Sequence, residues 1–202
     1  MNPRIDEILQ RIRALEAELE RELDSRREAF QVRFEHHRVR FAREILQRQK
    51  QFRTNLLAYL FQGNLRHLLS APIIYSMIVP LVILDIGITL YQYLCFPLYR
   101  IKHVKRSDHM AFDHQHLAYL NLLEKFNCLY CSYGNGLISY TREIIARTEQ
   151  YWCPIRHARR LLETHSHYAE FVDYGDAEAY RRELASLRAA LGKPESSPED
   201  KP

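Results

Sequence analysis

The chain has 202 residues, 47% hydrophobic and 27% charged, with a net charge of +4 and a pI near 8.9. Such averages are ordinary for a soluble globule, and so small a basic excess, mixed with Glu, argues against a nucleic-acid partner. The first thirty residues carry no apolar segment ending in a small-residue cleavage site, so no signal peptide is expected; with only four cysteines, metal binding or free thiols outrank a disulfide scaffold.

The averages hide a segregation. Residues 1–53 are crowded with Arg and Glu, whereas 71–99 hold a single charge, Asp85. The pattern predicts an all-α membrane protein. It has a long N-terminal amphipathic helix, one transmembrane or re-entrant segment and a C-terminal helical Cys/His domain.

Residues 1–62 read as one long helix, because no Gly or Pro interrupts Ile5 to Phe61. From Leu19 onward the apolar gaps alternate four and seven. Ile8, Leu19, Phe30, Phe41 and Phe52 form one column; Ile12, Leu23, Phe34, Ile45 and Leu56 form the other. Eleven residues over three turns is about 3.67 per turn, which predicts a straight to right-handed supercoil. A stripe of about fifty residues reaches ~75 Å at 1.5 Å per residue. The rest of the chain is too small to cover that length, so the expectation is self-association. Arg26, His37 and Arg48 form a polar column beside the stripe and read as a solvated face. Residues 63–70, with a break at Gly63-Asn64, read as a connector in the form of an interfacial helix.

The segment 71–99, APIIYSMIVPLVILDIGITLYQYLCFPLY, supplies from Ile73 to Leu94 the roughly 20 apolar residues that a span needs. Tyr91, Tyr93, Phe96 and Tyr99 form an aromatic belt, followed by Arg100, Lys102, Lys105 and Arg106. By the positive-inside rule these place the C-terminal side in the cytoplasm. Pro80 is the point at which a re-entrant hairpin would bend. Asp85, costly within a bilayer, is expected to face a partner chain or polar cavity, or to bond a Ser, Tyr or backbone group of a neighbouring helix.

Residues 100–192 form the Cys/His domain. Asp113 is expected to cap a helix through Leu117, Leu120 and Leu123. Ser132-Tyr133-Gly134-Asn135-Gly136 reads as a turn, Cys153 as the cap of a helix over 154–168, and Asp176 as the cap of a last helix ended by Gly192. His165 and His167 read as exposed helix-end residues. The tail, 193–202, reads as disordered.

Cys128 and Cys131 form a C-x-x-C, and Cys153 and His157 a C-x-x-x-H. Both spacings place a pair on one helical face. Together they compose a Cys₃His set of the zinc type, with iron or an iron–sulfur cluster as the alternative. A continuous helix over 137–151 would hold the two pairs more than 20 Å apart. The site would then be Cys153, His157, His114 and His116. Glu143, Glu149 and Glu163 with nearby histidines are a further carboxylate-bridged candidate.

The block NCLYCSYGNGLISYTREIIARTEQYWCPIRHARR resembles a recurring segment, NCxYC…YWCPI(R/K)H, of uncharacterised bacterial membrane-associated proteins. The resemblance covers about 110–180 and implies a bacterial inner-membrane setting, with no activity to carry over. The expected function is a non-enzymatic membrane-anchored scaffold or adaptor, self-associating through its N-terminal helix. It would contact lipid and dock a protein through a cytoplasmic zinc-type domain. The alternative is a subunit of a membrane redox or metal-dependent enzyme using the cysteines.

Overall fold

The computed structural model describes residues 3–29, 32–35, 38–41, 43–53 and 65–192. It is mostly helical and divides into two units. One comprises 1–62 with 113–128, and the other 63–112 with 129–202.

In the first unit, helix α1 (Pro3–Ala29) is followed by a hairpin of strands β1 (Val32–Glu35) and β2 (Arg38–Phe41), then by helix α2 (Arg43–Gln51). The single long helix expected over 1–62 is therefore corrected. Over Val32–Phe41 the sequence also alternates apolar and polar residues with period two, the pattern of a strand. The antiparallel register pairs Val32 with Phe41, Phe34 with Val39 and Glu35 with Arg38. Phe34 and Phe41 thus lie on strands and do not continue the columns of α1; Phe30 and Leu56 lie outside the described residues, as do the Gly63-Asn64 break and the 193–202 tail. On α1 the apolar stripe Ile8, Ile12, Leu15, Leu19 and Leu23 stands exposed. Further on, the Gln49 side chain accepts from the Ala118 N–H at 3.1 Å.

Helices α3 (Leu65–Ser76) and α4 (Ile78–Leu98) build the second unit's apolar rod. Only Met77 interrupts them, so the helical run Leu69–Leu98 is long and apolar enough to cross a membrane. Pro80 falls in the first turn of α4, where a missing N–H is tolerated. The chain does not reverse there, which corrects the re-entrant hairpin. The helix expected over 63–70 is present from Leu65 onward, as the start of α3.

Helix α4 ends in a Schellman motif. The Ile101 N–H donates to the Phe96 carbonyl at 2.9 Å and the Arg100 N–H to the Pro97 carbonyl at 3.2 Å. Arg100 takes the left-handed position that glycine favours, with φ 57°. Phe96 and Ile101, the hydrophobic pair of the motif, are both buried.

From Arg100 the chain turns back and runs along α4 against its direction. Gln92 fixes this return segment: its side-chain carbonyl accepts from the Val104 N–H at 2.7 Å, and its amide donates to the Tyr140 hydroxyl at 2.9 Å. A 3₁₀ turn at Arg106–Asp108 follows. Another at His114–His116 stands where the Asp113-capped helix was expected.

Helix α5 (Leu122–Trp152) begins in the first unit and continues through the second. Its start is a reciprocal capping box: Asn121 Oδ1 accepts from the Glu124 N–H at 3.0 Å, and Glu124 Oε2 from the Asn121 N–H at 2.8 Å. The turn expected at Ser132–Gly136 is helix. Gly136 is there because a Cβ would stand 2.7 Å from Met110 Cγ and 2.9 Å from the His109 carbonyl. α5 runs parallel to α4, with Tyr130 bonding the Ile74 carbonyl near one end and Tyr151 meeting Tyr99 at the other. Phe96, Ile101, Val104, Leu137, Tyr140, Ile144 and Leu191 form the core of this unit.

The helix expected over 154–168 is absent. A parallel bridge joins Ile155 to Val172, with the Arg156 N–H donating to the Val172 carbonyl at 2.8 Å. A 3₁₀ turn spans Ser166–Glu170. Helix α6 (Ala177–Ala190) starts as expected, with Asp176 Oδ1 accepting from the Ala179 N–H at 2.9 Å.

Candidate functional site

Asp85 sits on the inner face of α4 among apolar residues, its side chain 13% exposed. Such a carboxylate is tolerated only when paired and hydrogen-bonded. Here Arg106, carried to it by the return segment, supplies a bidentate fork: Nη1 donates to Oδ1 and Nη2 to Oδ2, both at 2.6 Å. Tyr133 of α5 donates to Oδ2 at 2.9 Å, and Thr89, one turn along α4, to Oδ1 at 3.4 Å. Both oxygens therefore have two donors. The expected tyrosine of a neighbouring helix is present, but the main counter-charge comes from Arg106 of the same chain. Asp85 thus has partners for both oxygens within its own chain.

The helix presents two chemically different sides. Asp85, Thr89 and Gln92 point inward, each hydrogen-bonded within the chain. Val79, Ile83, Ile86, Leu90 and Leu94 stand exposed on the outer side, at the spacing of one helical stripe. Cys95 is half-buried.

A second polar cluster lies on the C-terminal half of α5. Glu143 Oε1 accepts from Arg147 Nε at 2.8 Å and lies 2.9 Å from His167 Nε2. Arg147 also donates to the Lys102 carbonyl at 2.9 Å, tying the return segment to α5. Burial opposes the charge on Glu143, but the bonds from His167 and Arg147 outweigh it and hold the carboxyl down at about 2. Next to it, His165 Nε2 lies 3.0 Å from Glu149 Oε2. Burial pushes the His165 imidazole below its usual range, against the pull of Glu149. His165 and His167 are thus half-buried partners of glutamates and not exposed helix-end residues. Their glutamates were among the carboxylates singled out in the sequence; the pairing arises because the 3₁₀ turn folds back on α5. Glu163 instead reaches Arg142 at 3.9 Å.

The Cys₃His set is not brought together. Cys128 and Cys131 share a face of α5, whereas Cys153 directly follows its last residue. Cys153 lies 22 positions beyond Cys131, about 33 Å along the helix at 1.5 Å per residue. Cys153 lies at a helix C-terminus, its N–H donating to the Glu149 carbonyl at 2.7 Å. The helix it was expected to cap is not there. His157 belongs to the loop beyond and stacks on Tyr168, with ring centroids 6.3 Å apart. His114 and His116 belong to the first unit, and Cys153 and His157 to the second. Among the described residues, no three His, Cys, Asp or Glu side chains converge as metal ligands.

No family model, curated protein or solved structure matches the chain.

Proposed function

We propose that this protein is a membrane-attached scaffold that lies along one bilayer surface, with the outer side of α3–α4 in lipid, and pairs with a second copy through α1. The observation that carries the reading is the two-sidedness of α4: a continuous exposed apolar stripe outside, and a covered face under the return segment on which Asp85, Thr89 and Gln92 are bonded within the chain.

A full crossing fits these groups poorly. Asp85 lies ~24 Å along the helix from Leu69 and ~20 Å from Leu98, near the middle of the run. A crossing would carry the exposed Lys105, Ser107 and Asp108, on irregular backbone, to the same depth as Arg106. Charged residues at that depth cost about 2.5–3.5 kcal/mol each on insertion scales, and non-helical backbone is not tolerated against lipid. In-plane attachment leaves the same groups in water. The basic residues around the rod (Arg66, Arg100, Lys102 and Lys105) favour the cytoplasmic face of an inner membrane.

For α1, acidic residues outnumber basic ones, which disfavours an anionic membrane as the cover for its exposed stripe. The spacing Ile8, Ile12, Leu15, Leu19 is four-three-four, the seam of a two-stranded coiled coil. In parallel register Arg11 of one copy comes opposite Glu16 of the other. Anchoring of both copies to one membrane face supports that direction.

The test is sidedness. Tags at both termini and a cysteine at Ser107 should be reached by an impermeant reagent from one side of sealed vesicles, in protein that resists salt extraction. Termini on opposite sides would replace this reading with a crossing helix. Leu15→Cys should cross-link within the membrane fraction; a monomer at high dilution in lipid removes the pairing half.

A further inference from the structure

The second unit carries a basic, cavity-lined loop that the scaffold reading does not use. We infer that the loop 156–162 and the turn at Thr164–Tyr174 form a docking site for the phosphate of an anionic lipid headgroup. The inference deepens the proposed membrane attachment and rests on it.

The sequence Arg156-His157-Ala158-Arg159-Arg160-Leu161-Leu162 places three guanidinium groups within five residues. They line an open cavity of about 540 Å³, together with Thr164, Tyr168 and Tyr174. Arg156 is already used: Nη1 donates to Asp173 Oδ1 at 2.8 Å and Nη2 to the Ala169 carbonyl at 2.6 Å. It holds the cavity wall in place. Arg159 and Arg160 are exposed and have no ion-pair partner among the described residues. Two free guanidinium groups at one cavity suit a phosphate, which each can grip in bidentate fashion.

Three further features select lipid over a free anion or an acidic peptide. Leu162, two residues past Arg160, is fully exposed, an apolar tip beside the basic pair. Trp152, four residues before Arg156, is 52% exposed, and its ring packs at 5.3 Å on Tyr99 at the end of α4. Tyr174 on the cavity rim is also exposed. Aromatic rings, a protruding leucine and unpaired arginines are the composition of a membrane–water interface. The Trp152–Tyr99 contact places this aromatic pair at the Leu98 end of α4.

Trp152 is the only tryptophan in the chain, so its fluorescence reports on this end of the molecule. The full-length protein in neutral detergent is titrated with a short-chain phosphatidylglycerol. Parallel titrations use the matching phosphatidylcholine, inorganic phosphate and a polyglutamate peptide. A saturable change in Trp152 emission is expected with the anionic lipid alone. Each basic residue near an anionic membrane contributes about 1 kcal/mol, so Arg159→Gln with Arg160→Gln should weaken the response about thirtyfold. The two side chains are exposed, so circular dichroism should be unchanged. An equal response to phosphatidylcholine, phosphate or polyglutamate overturns the proposal, as does a double variant that responds like the parent. Flotation with neutral vesicles separates the two readings. Its failure defeats the attachment itself, whereas a missing lipid response with flotation intact defeats only this site.

Discussion

Removing Arg106 tests the lock at Asp85 directly. Arg106→Ala deletes both 2.6 Å bonds and leaves Asp85 with only Tyr133 and Thr89. Breaking a fully buried ion pair from one side costs about 3–5 kcal/mol, because the remaining charge is uncompensated. Here the Asp85 side chain is 13% exposed and that of Arg106 43%, so solvent screens part of the loss and about 2 kcal/mol is expected. For a domain of 150–250 residues, that lowers the melting temperature by roughly 4–8 °C. The assay is thermal unfolding in detergent, followed by circular dichroism, on Arg106→Ala, Asp85→Asn and the double variant. Removing the acid as well should recover part of the loss, giving a coupling of about 1 kcal/mol or more. Strict additivity, or an Arg106→Ala melting point equal to that of the parent, would show that the return segment does not lie against α4.

Three further outcomes follow from single positions. Gly136→Ala puts a methyl group against Met110 and the His109 carbonyl; a cost of about 1–3 kcal/mol is expected, whereas Gly87→Ala, with nothing within 4 Å, should be tolerated. Arg100→Gly relieves the left-handed backbone at the Schellman position and should stabilise by about 1 kcal/mol in the same melt. Acidification should act in two windows. His165 is lowered from 6.5, so the unfolded chain takes its proton first and stability falls as pH drops below 6.5. Glu143 is lowered from 4.5 to about 2; its stabilisation, ~3 kcal/mol at most, is present above 4.5 and lost as pH falls from there toward 2. Glu143→Gln should flatten the second window in a pH series of melting temperatures and leave the first.

Elements set by local chemistry were readable in the chain. The apolar rod needs only a run of side chains that favour lipid or a core, and the Asp176 and Gly192 boundaries need only their own backbone. The start of α5 was equally local: Asn121 and Glu124 form a capping box that the sequence carries openly and that the stronger pull of Asp113 obscured. Val32–Phe41 is the opposite case. Its residues satisfy both an eleven-residue helical repeat and a two-residue strand repeat, and periodicity alone cannot choose between them.

The candidate sites divide along the same line. The residue types were visible: an acid in an apolar helix, glutamates with histidines, and cysteines at chelating spacings. Several deciding partners were not, because Arg106, Tyr133 and His167 arrive by long-range folds. Arg106 is 21 positions from Asp85 in sequence and reaches it only because the chain reverses at Arg100. Gly134 and Gly136 read as a turn because glycine frees the backbone; in the fold, a neighbouring backbone needs the space at Gly136.

The sequence by itself determined that this chain has one long apolar helix with a single acid inside it, and that charge is segregated to either side. Those properties follow from composition over short windows. Only the tertiary structure decided that the acid is neutralised within the chain, that one side of the helix is covered while the other stands exposed, and that a continuous α5 holds the cysteines apart. The physical reason is that burial, counter-charge and ligand distance depend on which distant segments pack together, and no window of sequence contains that information.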